Sequence, residues 1–266
     1  MHARDEHSCT VTEHWLAHLP VDAERTDAAA ADAALADAPQ PVALRIAIDD
    51  GLSHERRLSV LETADGAGVA VMTAAVARAL GVQDGDELDR SALEAALGEA
   101  GLRLHGADHL FFFPQAAHEP LLQESVPDSI RRLTEADAAA FAAFEGEASE
   151  QDLDDAYVEL DHWLVFGAFV GDELACAASM YPWAGSALAD TGVLTLPRFR
   201  GRGLARQTVR AMSAHALGLG FEPQYRCQLD NLASVALATS AGLTRLGSWD
   251  VVAEDDADHD GAVQAE

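Results

Sequence analysis

Lysine is absent from this 266-residue chain, and all seventeen of its basic residues are arginine. A lysine Schiff base, a lysine nucleophile and the lysine of a phosphate-binding P-loop are therefore excluded. Cysteine is scarce as well. Cys9, Cys176 and Cys227 are odd in number, far apart and without C-x-x-C spacing, which argues against a disulfide framework and a cysteine zinc site and predicts buried free thiols. No apolar run approaches the roughly 20 residues needed to span a bilayer. The polar start from Met1 to Thr10 has no apolar stretch of the secretion-signal kind, so a cytoplasmic protein is expected. Bases are few: 45 acids against 17 bases give a net charge of −28. Nucleic-acid phosphates and anionic lipid headgroups are repelled by such a balance, and neither is expected as a partner without a large local basic patch.

What is present points to a folded chain. Apolar residues make up 49% and charged residues 23%, the pattern of a globular protein rather than a disordered one. At roughly 150 residues per domain, the length suits one large domain or two ordinary ones. The lysine-free, acid-rich balance resembles proteins of salt-accumulating halophiles, whose dense carboxylate surfaces stay hydrated in concentrated salt.

Residues 1–40 form an acidic segment, expected to be partly flexible, in which Val21 to Gln40 is mostly Ala and Asp and reads as a solvated helix or a linker. Residues 41–127 read as a smaller α+β domain. Val42, Leu44, Ile46 and Ile48 alternate as a half-buried strand does, and Arg57 to Leu61, Val69 to Met72 and His109 to Phe113 read as further strands. Ser91 and Glu94 have capping-box spacing, which predicts a helix after Ser91 with Leu93, Ala96 and Leu97 on one stripe. Nothing in this part spells out chemistry.

Residues 128–252 are more regular, ahead of an acidic tail at 253–266 expected to be disordered. Arg131 to Leu133 reads as a strand. Thr134 with Asp137, and Ser149 with Asp152, each offer an N-cap and an acidic third position for a short helix. Trp163 to Val170 and Leu174 to Tyr181 are apolar runs joined by Gly171-Asp172, a pair suited to a tight hairpin. A strand from Asp190 to Leu196 follows, then a glycine-arginine loop and a helix with Leu204, Thr208, Met212, Ala216 and Leu219 on one stripe. After a strand from Tyr225 to Leu229, a last helix runs from Asn231 as its cap to Gly242 as its terminator, before a final strand from Leu243 to Val252.

The loop is where the charge is anomalous. Between Arg198 and Arg210 there are five arginines and no acid, in a chain where acids outnumber bases more than twofold. Gly201 and Gly203 let successive backbone N–H groups converge, and the helix start that follows adds unpaired donors and a partial positive charge. Such a loop suits a phosphate. The screening length is only about 3 Å at 1 M salt, so contact-range groups of this kind are what could hold a polyanion there. The plainer alternative is an exposed helix start whose arginines pair with surface carboxylates. A dinucleotide fingerprint is not met, because Arg206 stands where a third glycine would be needed.

Arg200-x-x-Gly203-x-Ala205 resembles the acyl-CoA-binding motif of the GNAT N-acetyltransferase superfamily, and Asn231, Ser234 and Gly242 match its second motif in the right order. The resemblance covers nearly half the chain, from Ser129 to Val252. It implies a GNAT fold, that is, an α/β (α+β) architecture with a mixed, mostly antiparallel sheet flanked by helices, here preceded by the smaller α+β domain. By the same resemblance, the backbone of Val193, Leu194 and Thr195 pairs with the pantetheine arm of acetyl-CoA in a splayed opening between the fourth and fifth strands. Gly201, Arg202, Gly203, Leu204, Ala205 and Arg206, with Arg200, hold the pyrophosphate, and Asn231 and Ser234 lie near the pantetheine or thiol. The reaction implied is direct attack of an amine, from a small molecule or a protein or peptide, on the thioester, with no metal required.

The match is incomplete at the catalytic positions. Many relatives carry a tyrosine seven residues after the asparagine, where this chain has Ala238, and some carry a carboxylate five residues before it, where this chain has Arg226. Asp190 is the candidate base, facing the site only if a bulge intervenes, and Tyr181 is a second candidate, as a hydroxyl or as a wall of the acceptor pocket. Cys227 has no histidine partner and reads as core. His14 and His18 have metal-ligand spacing without a clear third ligand, and His162 reads as a histidine at a strand start. An acetyl-CoA-dependent N-acetyltransferase, monomeric or homodimeric, is the expected activity. The alternative is a non-catalytic acyl-CoA sensor on the same fold.

Overall fold

Thr73, Asp89, Ser149 and Asn231 each cap a helix start, their side-chain oxygens accepting a first-turn backbone N–H as their chemistry dictates. The computed structural model describes residues 6–19 and 42–253; the Ala/Asp-rich stretch at 21–40 and the tail beyond Ala253 lie outside the described residues. In chain order the elements are α1 (Cys9–Trp15), β1 (Ala43–Ile48), β2 (Leu58–Thr63), β3 (Gly68–Met72), α2 (Ala74–Leu80), β4 (Glu87–Asp89), α3 (Arg90–Glu99), β5 (Asp108–Phe112), α4 (Gln115–Leu122), β6 (Ile130–Arg132), α5 (Ala138–Glu145), α6 (Glu150–Ala156), β7 (Leu164–Val170), β8 (Glu173–Pro182), β9 (Leu188–Thr195), α7 (Leu204–Gly218), β10 (Glu222–Gln228), α8 (Leu232–Ala241) and β11 (Thr244–Val251). Among the described residues no helix is long and apolar enough to cross a membrane.

Packing divides the chain into two units, one made of the segment up to His14 with Leu110–Leu246, the other of Trp15–His109 with the chain from Gly247 on. In the second unit the strand order is β4-β1-β3-β2-β11. Only β1 and β3 run parallel, and Gly247 to Val251 of β11 pairs antiparallel with β2. Strands from the N-terminal region and the last strand of the chain thus share one sheet. A smaller N-terminal domain is not clearly set apart, because β2 would have an open edge without the chain's C-terminal strand. Leu44, Ile46, Leu58, Val60 and Met72 form its core with Leu93 and Leu97 of α3. The cap of α3 is Asp89, whose carboxylate accepts the Ala92 N–H at 2.8 Å, and not Ser91. Glu87–Asp89 is held extended by β1, so the chain can turn helical only from Asp89 onward.

The other unit carries the order β5-β10-β9-β8-β7-β6, with β6 to β9 antiparallel and β9 parallel to β10. The Thr134–Asp137 capping box forms, and Ser149 caps α6 by accepting the Asp152 N–H. Helix α7 lies on one face of the sheet, with α4 and α8 against it, while α5 and α6 cover the opposite face. Alternation along each strand feeds two cores. Ala168, Cys176, Ala178 and Tyr225 point toward α7, and Val165, Ala175, Ala177 and Leu194 point toward α5 and α6.

The pairing of this sheet is irregular at one place. Strands β9 and β10 are paired only from Leu188–Glu222 to Thr191–Tyr225, whereas β9 stays paired with β8 as far as Thr195. Beyond Thr191 the two parallel strands part. Gly192 occupies the parting point, and a Cβ there would lie 2.2 Å from the Ala156 carbonyl oxygen at the end of α6 and 3.0 Å from that of Tyr157. Only a residue without a side chain lets α6 close against β9. Gly192→Ala is expected to force α6 and β9 apart and to destabilise the fold by about 1–3 kcal/mol, read as a lowered midpoint in chemical denaturation.

Candidate functional site

The segment after β9 is built to bring backbone donors to the gap between the parted strands. Pro197 opens a single 3-10 turn, Pro197–Phe199, and buried Phe199 anchors that turn in the core with Leu194 and Leu196. Gly201 and Gly203 then adopt φ angles of 75° and 76°, values that L side chains rarely take. Gly203 is the N-cap of α7 and brings no side chain to it. The first-turn N–H groups of a fifteen-residue helix are thus left without a side-chain cap.

The five arginines separate into two sets. Arg198 pairs with Glu147 and Glu173. Arg200 donates to the Thr195 carbonyl and to Asp152 of α6, each at 3.0 Å, and so ties the loop back to the strand. Arg210 donates to Glu124 through Nε at 2.9 and 3.1 Å and also reaches the Ala241 carbonyl; this bond is the main reason the Glu124 carboxyl sits below the usual carboxylate range. Those three follow the plainer expectation of pairing with carboxylates. Arg202 lies over the Phe199 ring, with 5.6 Å to its centroid, and the Arg206 guanidinium lies 3.7 Å from where a Cβ on Gly203 would be. Neither is ion-paired among the described residues, and both are exposed.

A cavity of about 860 Å³ fills the gap between the parted strands. Its walls include Val193, Leu194 and Thr195 of β9, the loop from Arg200 to Arg206, Tyr225 of β10, and Asn231 and Ser234 of α8. Every residue that the sequence pattern assigns to the nucleotide lies on this wall. Asn231 caps α8, its Oδ1 accepting the Ser234 N–H at 3.0 Å, which leaves its NH₂ group as a donor.

Asp190 and Tyr181 are brought together elsewhere. They face each other across β8 and β9 in regular register, so no bulge intervenes, and neither is among the residues that line the cavity. Asp190 is 5% exposed. It accepts from the Tyr181 hydroxyl at 3.0 Å, from Gln224 at 2.9 Å, and from Arg226 at 2.8 to 3.2 Å through both of its oxygens. Burial, and then the adjacent Asp190 carboxylate, push the Tyr181 hydroxyl well above the usual phenol range. Arg226 also stacks on Trp183 at 4.2 Å. Next to this pair, Tyr157, His162 and Tyr181 form a cluster of rings with centroids 5.0 to 5.6 Å apart, and His162 Nδ1 lies 2.8 Å from Ser179 Oγ.

Tyr225 is the site residue that the pattern did not single out. It sits on the last paired rung of β10 with its side chain on the cavity wall, facing Ser234, and burial raises its hydroxyl to about 12. Its alternation with Cys227 marks it only as inward-facing. Cys176 and Cys227 are buried free thiols, and burial pushes Cys176 up to about 11, whereas Cys9 is exposed because it opens the short helix α1. Among the described residues no group of three or more His, Cys, Asp or Glu side chains is arranged to hold a metal ion.

An extended gap beside a strand edge, closed at one end by glycines, arginines and a helix start, suits an elongated ligand with an anionic end. Residues 130–243 match the model of the acetyltransferase (GNAT) family, so a GNAT domain occupies the C-terminal part of the chain. Among solved structures, a GNAT-family protein from Novosphingobium aromaticivorans is 20% identical, with 58% of this chain and 68% of that one covered at a TM-score of 0.42. An acetyltransferase of the GNAT family from Colwellia psychrerythraea is 18% identical over 57% of each chain at a TM-score of 0.42, so this chain spans little more than half of that relative's length. The GNAT domain of S. lividans PAT is 17% identical, with 46% of this chain and 89% of that one covered at a TM-score of 0.38. Among curated proteins there is no match.

The Asp190–Arg226 pair yields a stability prediction. Arg226→Met leaves a buried carboxylate without its counter-ion and is expected to cost about 3–5 kcal/mol. The double variant Asp190→Leu/Arg226→Met should recover a large part of that loss, as measured by urea unfolding.

Proposed function

We propose that the cavity binds acetyl-CoA and that the protein is an N-acetyltransferase in which an acceptor amine attacks the thioester directly. The observation that carries this reading is the parting of β9 from β10 beside a glycine-arginine loop whose Arg202 and Arg206 have no ion pair among the described residues. Beyond Thr191, β9 has lost its partner on one side, and its free N–H and C=O groups suit the two amides of a pantetheine arm, which adds like a strand. The uncapped N–H groups of α7, Gly201 and Gly203, together with Arg202, suit the diphosphate. The Asn231 NH₂ group and Ser234 border the thiol end.

Acetyl-CoA supplies an activated acyl group: the amine nitrogen bonds to the carbonyl carbon as the carbon–sulfur bond breaks, sulfur leaves with the electron pair, and the amine's surplus proton passes to water in the gap. Ala238 cannot assist that departure. Tyr225, kept protonated at neutral pH by its burial, lies on the wall between β10 and α8 and donates a hydrogen bond to the departing thiolate. Asp190, with both oxygens engaged by Arg226 and its other donors, is assigned a positioning role together with Tyr181 on the acceptor side, rather than proton abstraction. The acid-rich surface and the absence of lysine fit work in concentrated salt, where assays are best run.

Ala238 and the fully engaged Asp190 are also what a binding module without turnover would show. Release of free CoA thiol across a panel of amines separates the two readings; heat of binding with no thiol release for any acceptor selects the sensor.

Arg202→Glu, or Gly203→Val, should weaken CoA binding by about 10- to 100-fold, the loss expected of one charge-assisted contact or of a blocked cradle. Arg198→Gln, at an arginine already engaged by two glutamates, should leave binding nearly unchanged in the same titration. Tyr225→Phe should lower kcat by about 100-fold with the KM for acetyl-CoA little altered, as steady-state thiol release would report.

A further inference from the structure

The wall of the gap carries few groups that could take a proton. Of the described residues that border it, only Asp152 and Asp155 of α6 are carboxylates, and no histidine or cysteine is among them. The two stand three positions apart, so they share one side of the helix. Asp152 is already engaged, since it accepts from Arg200 at 3.0 Å and so fastens the glycine-arginine loop. Asp155 is exposed and makes no ion pair among the described residues. Gln151 Nε2 donates to its Oδ1 at 2.7 Å, which leaves Oδ2 as an acceptor.

Position along α6 decides what each carboxylate can reach. Asp152 is bonded to the loop at the anionic end, whereas Ala156, the neighbour of Asp155, presses its carbonyl oxygen against Gly192, where β9 and β10 part. Asp155 therefore borders the gap toward the end at which Tyr225 stands on the last paired rung. The other acid and base groups of this face are committed elsewhere. Asp190 has both oxygens on Arg226, His162 Nδ1 lies 2.8 Å from Ser179 Oγ, and neither residue lines the gap.

Resting on the acetyl-CoA reading, we infer that Asp155 is the protein group that accepts the proton of the acceptor amine. As the nitrogen bonds to the carbonyl carbon it gains positive charge, which a nearby carboxylate stabilises. Its surplus proton then passes through water in the gap to Asp155 Oδ2, while sulfur leaves with the electron pair of the broken carbon–sulfur bond. The carboxyl group returns the proton to solvent and is ready for the next turnover.

Steady-state thiol release by the full chain tests this, with acetyl-CoA and with putrescine, spermidine, phenethylamine and a lysine-containing peptide as acceptors. Asp155→Ala should lower kcat about 100-fold, while calorimetry shows CoA bound within about twofold of the unaltered affinity. Formate, a small base that fits the vacated place, should restore kcat by about tenfold or more, and chloride at the same ionic strength should not. Asp154→Ala removes an exposed carboxylate that does not border the gap, and should change neither kcat nor CoA affinity. A kcat for Asp155→Ala within about threefold of the unaltered chain, or a loss that formate leaves in place, would overturn the inference and leave the CoA reading standing. CoA binding without thiol release for any acceptor would overturn the inference together with the transferase reading.

Discussion

The parting of β9 and β10 after a short parallel run is the constraint on which the site depends. A strand in mid-sheet normally has both edges paired, because unpaired N–H and C=O groups removed from water are costly. Here β9 is held straight by its full pairing with β8 and by the backbone of α6 pressed against Gly192, so it cannot follow β10 as that strand diverges. The edge so released needs other partners, and it lies beside the start of α7. Glycine at one position thus ties the packing of α6 to the opening of a ligand-sized gap.

Charge adds a second constraint, of shorter range. A chain with a net charge of −28 repels an anion at a distance, and concentrated salt would confine that repulsion to a few ångströms. What decides binding is then the sign of the groups in contact. Arg198, Arg200 and Arg210 use their charge to fasten the loop to α6, to the start of β8 and to the chain after α4. Those three are engaged by carboxylates, and the loop stays cationic because Arg202 and Arg206 make no salt bridge among the described residues. Had all five found carboxylates, the loop would be an ordinary surface turn.

Features governed by near neighbours in the chain were legible from the residues alone. The Thr134–Asp137 box, the Ser149 and Asn231 caps, the hairpin at Gly171-Asp172 and the stop at Gly242 involve partners within a few positions, and each stands where its chemistry puts it. The cavity wall was legible for the same reason, since most of it is one continuous strand, loop and helix start. Helices α2 and α4 were not foreseen. The first is a seven-residue stretch of the alanine-rich background, and the second contains Pro120, which argues against a helix unless it falls where the chain can spare a backbone donor. Strand order could not be read either: nothing local to Asp108–Phe112 says that it lies beside β10, or that the last strand closes the sheet begun by the first.

The replacement of a carboxylate by Arg226 looks, in the sequence, like a catalytic loss. In the fold, Arg226 stands beside Asp190, thirty-six positions away, and the two cancel each other's charge in a nearly buried place together with Gln224 and Tyr181. A carboxylate at 226 would have set two like charges side by side where neither could be well hydrated, so the presence of Asp190 makes an arginine there the stable choice. The same pairing engages both Asp190 oxygens with a guanidinium, for which any incoming proton donor would have to compete. On the proposed acetyltransferase reading, proton transfer then falls to groups on the cavity wall and to water. Tyr225, on the last rung before the strands part, is a protein hydroxyl held at that point by the geometry that opens the gap.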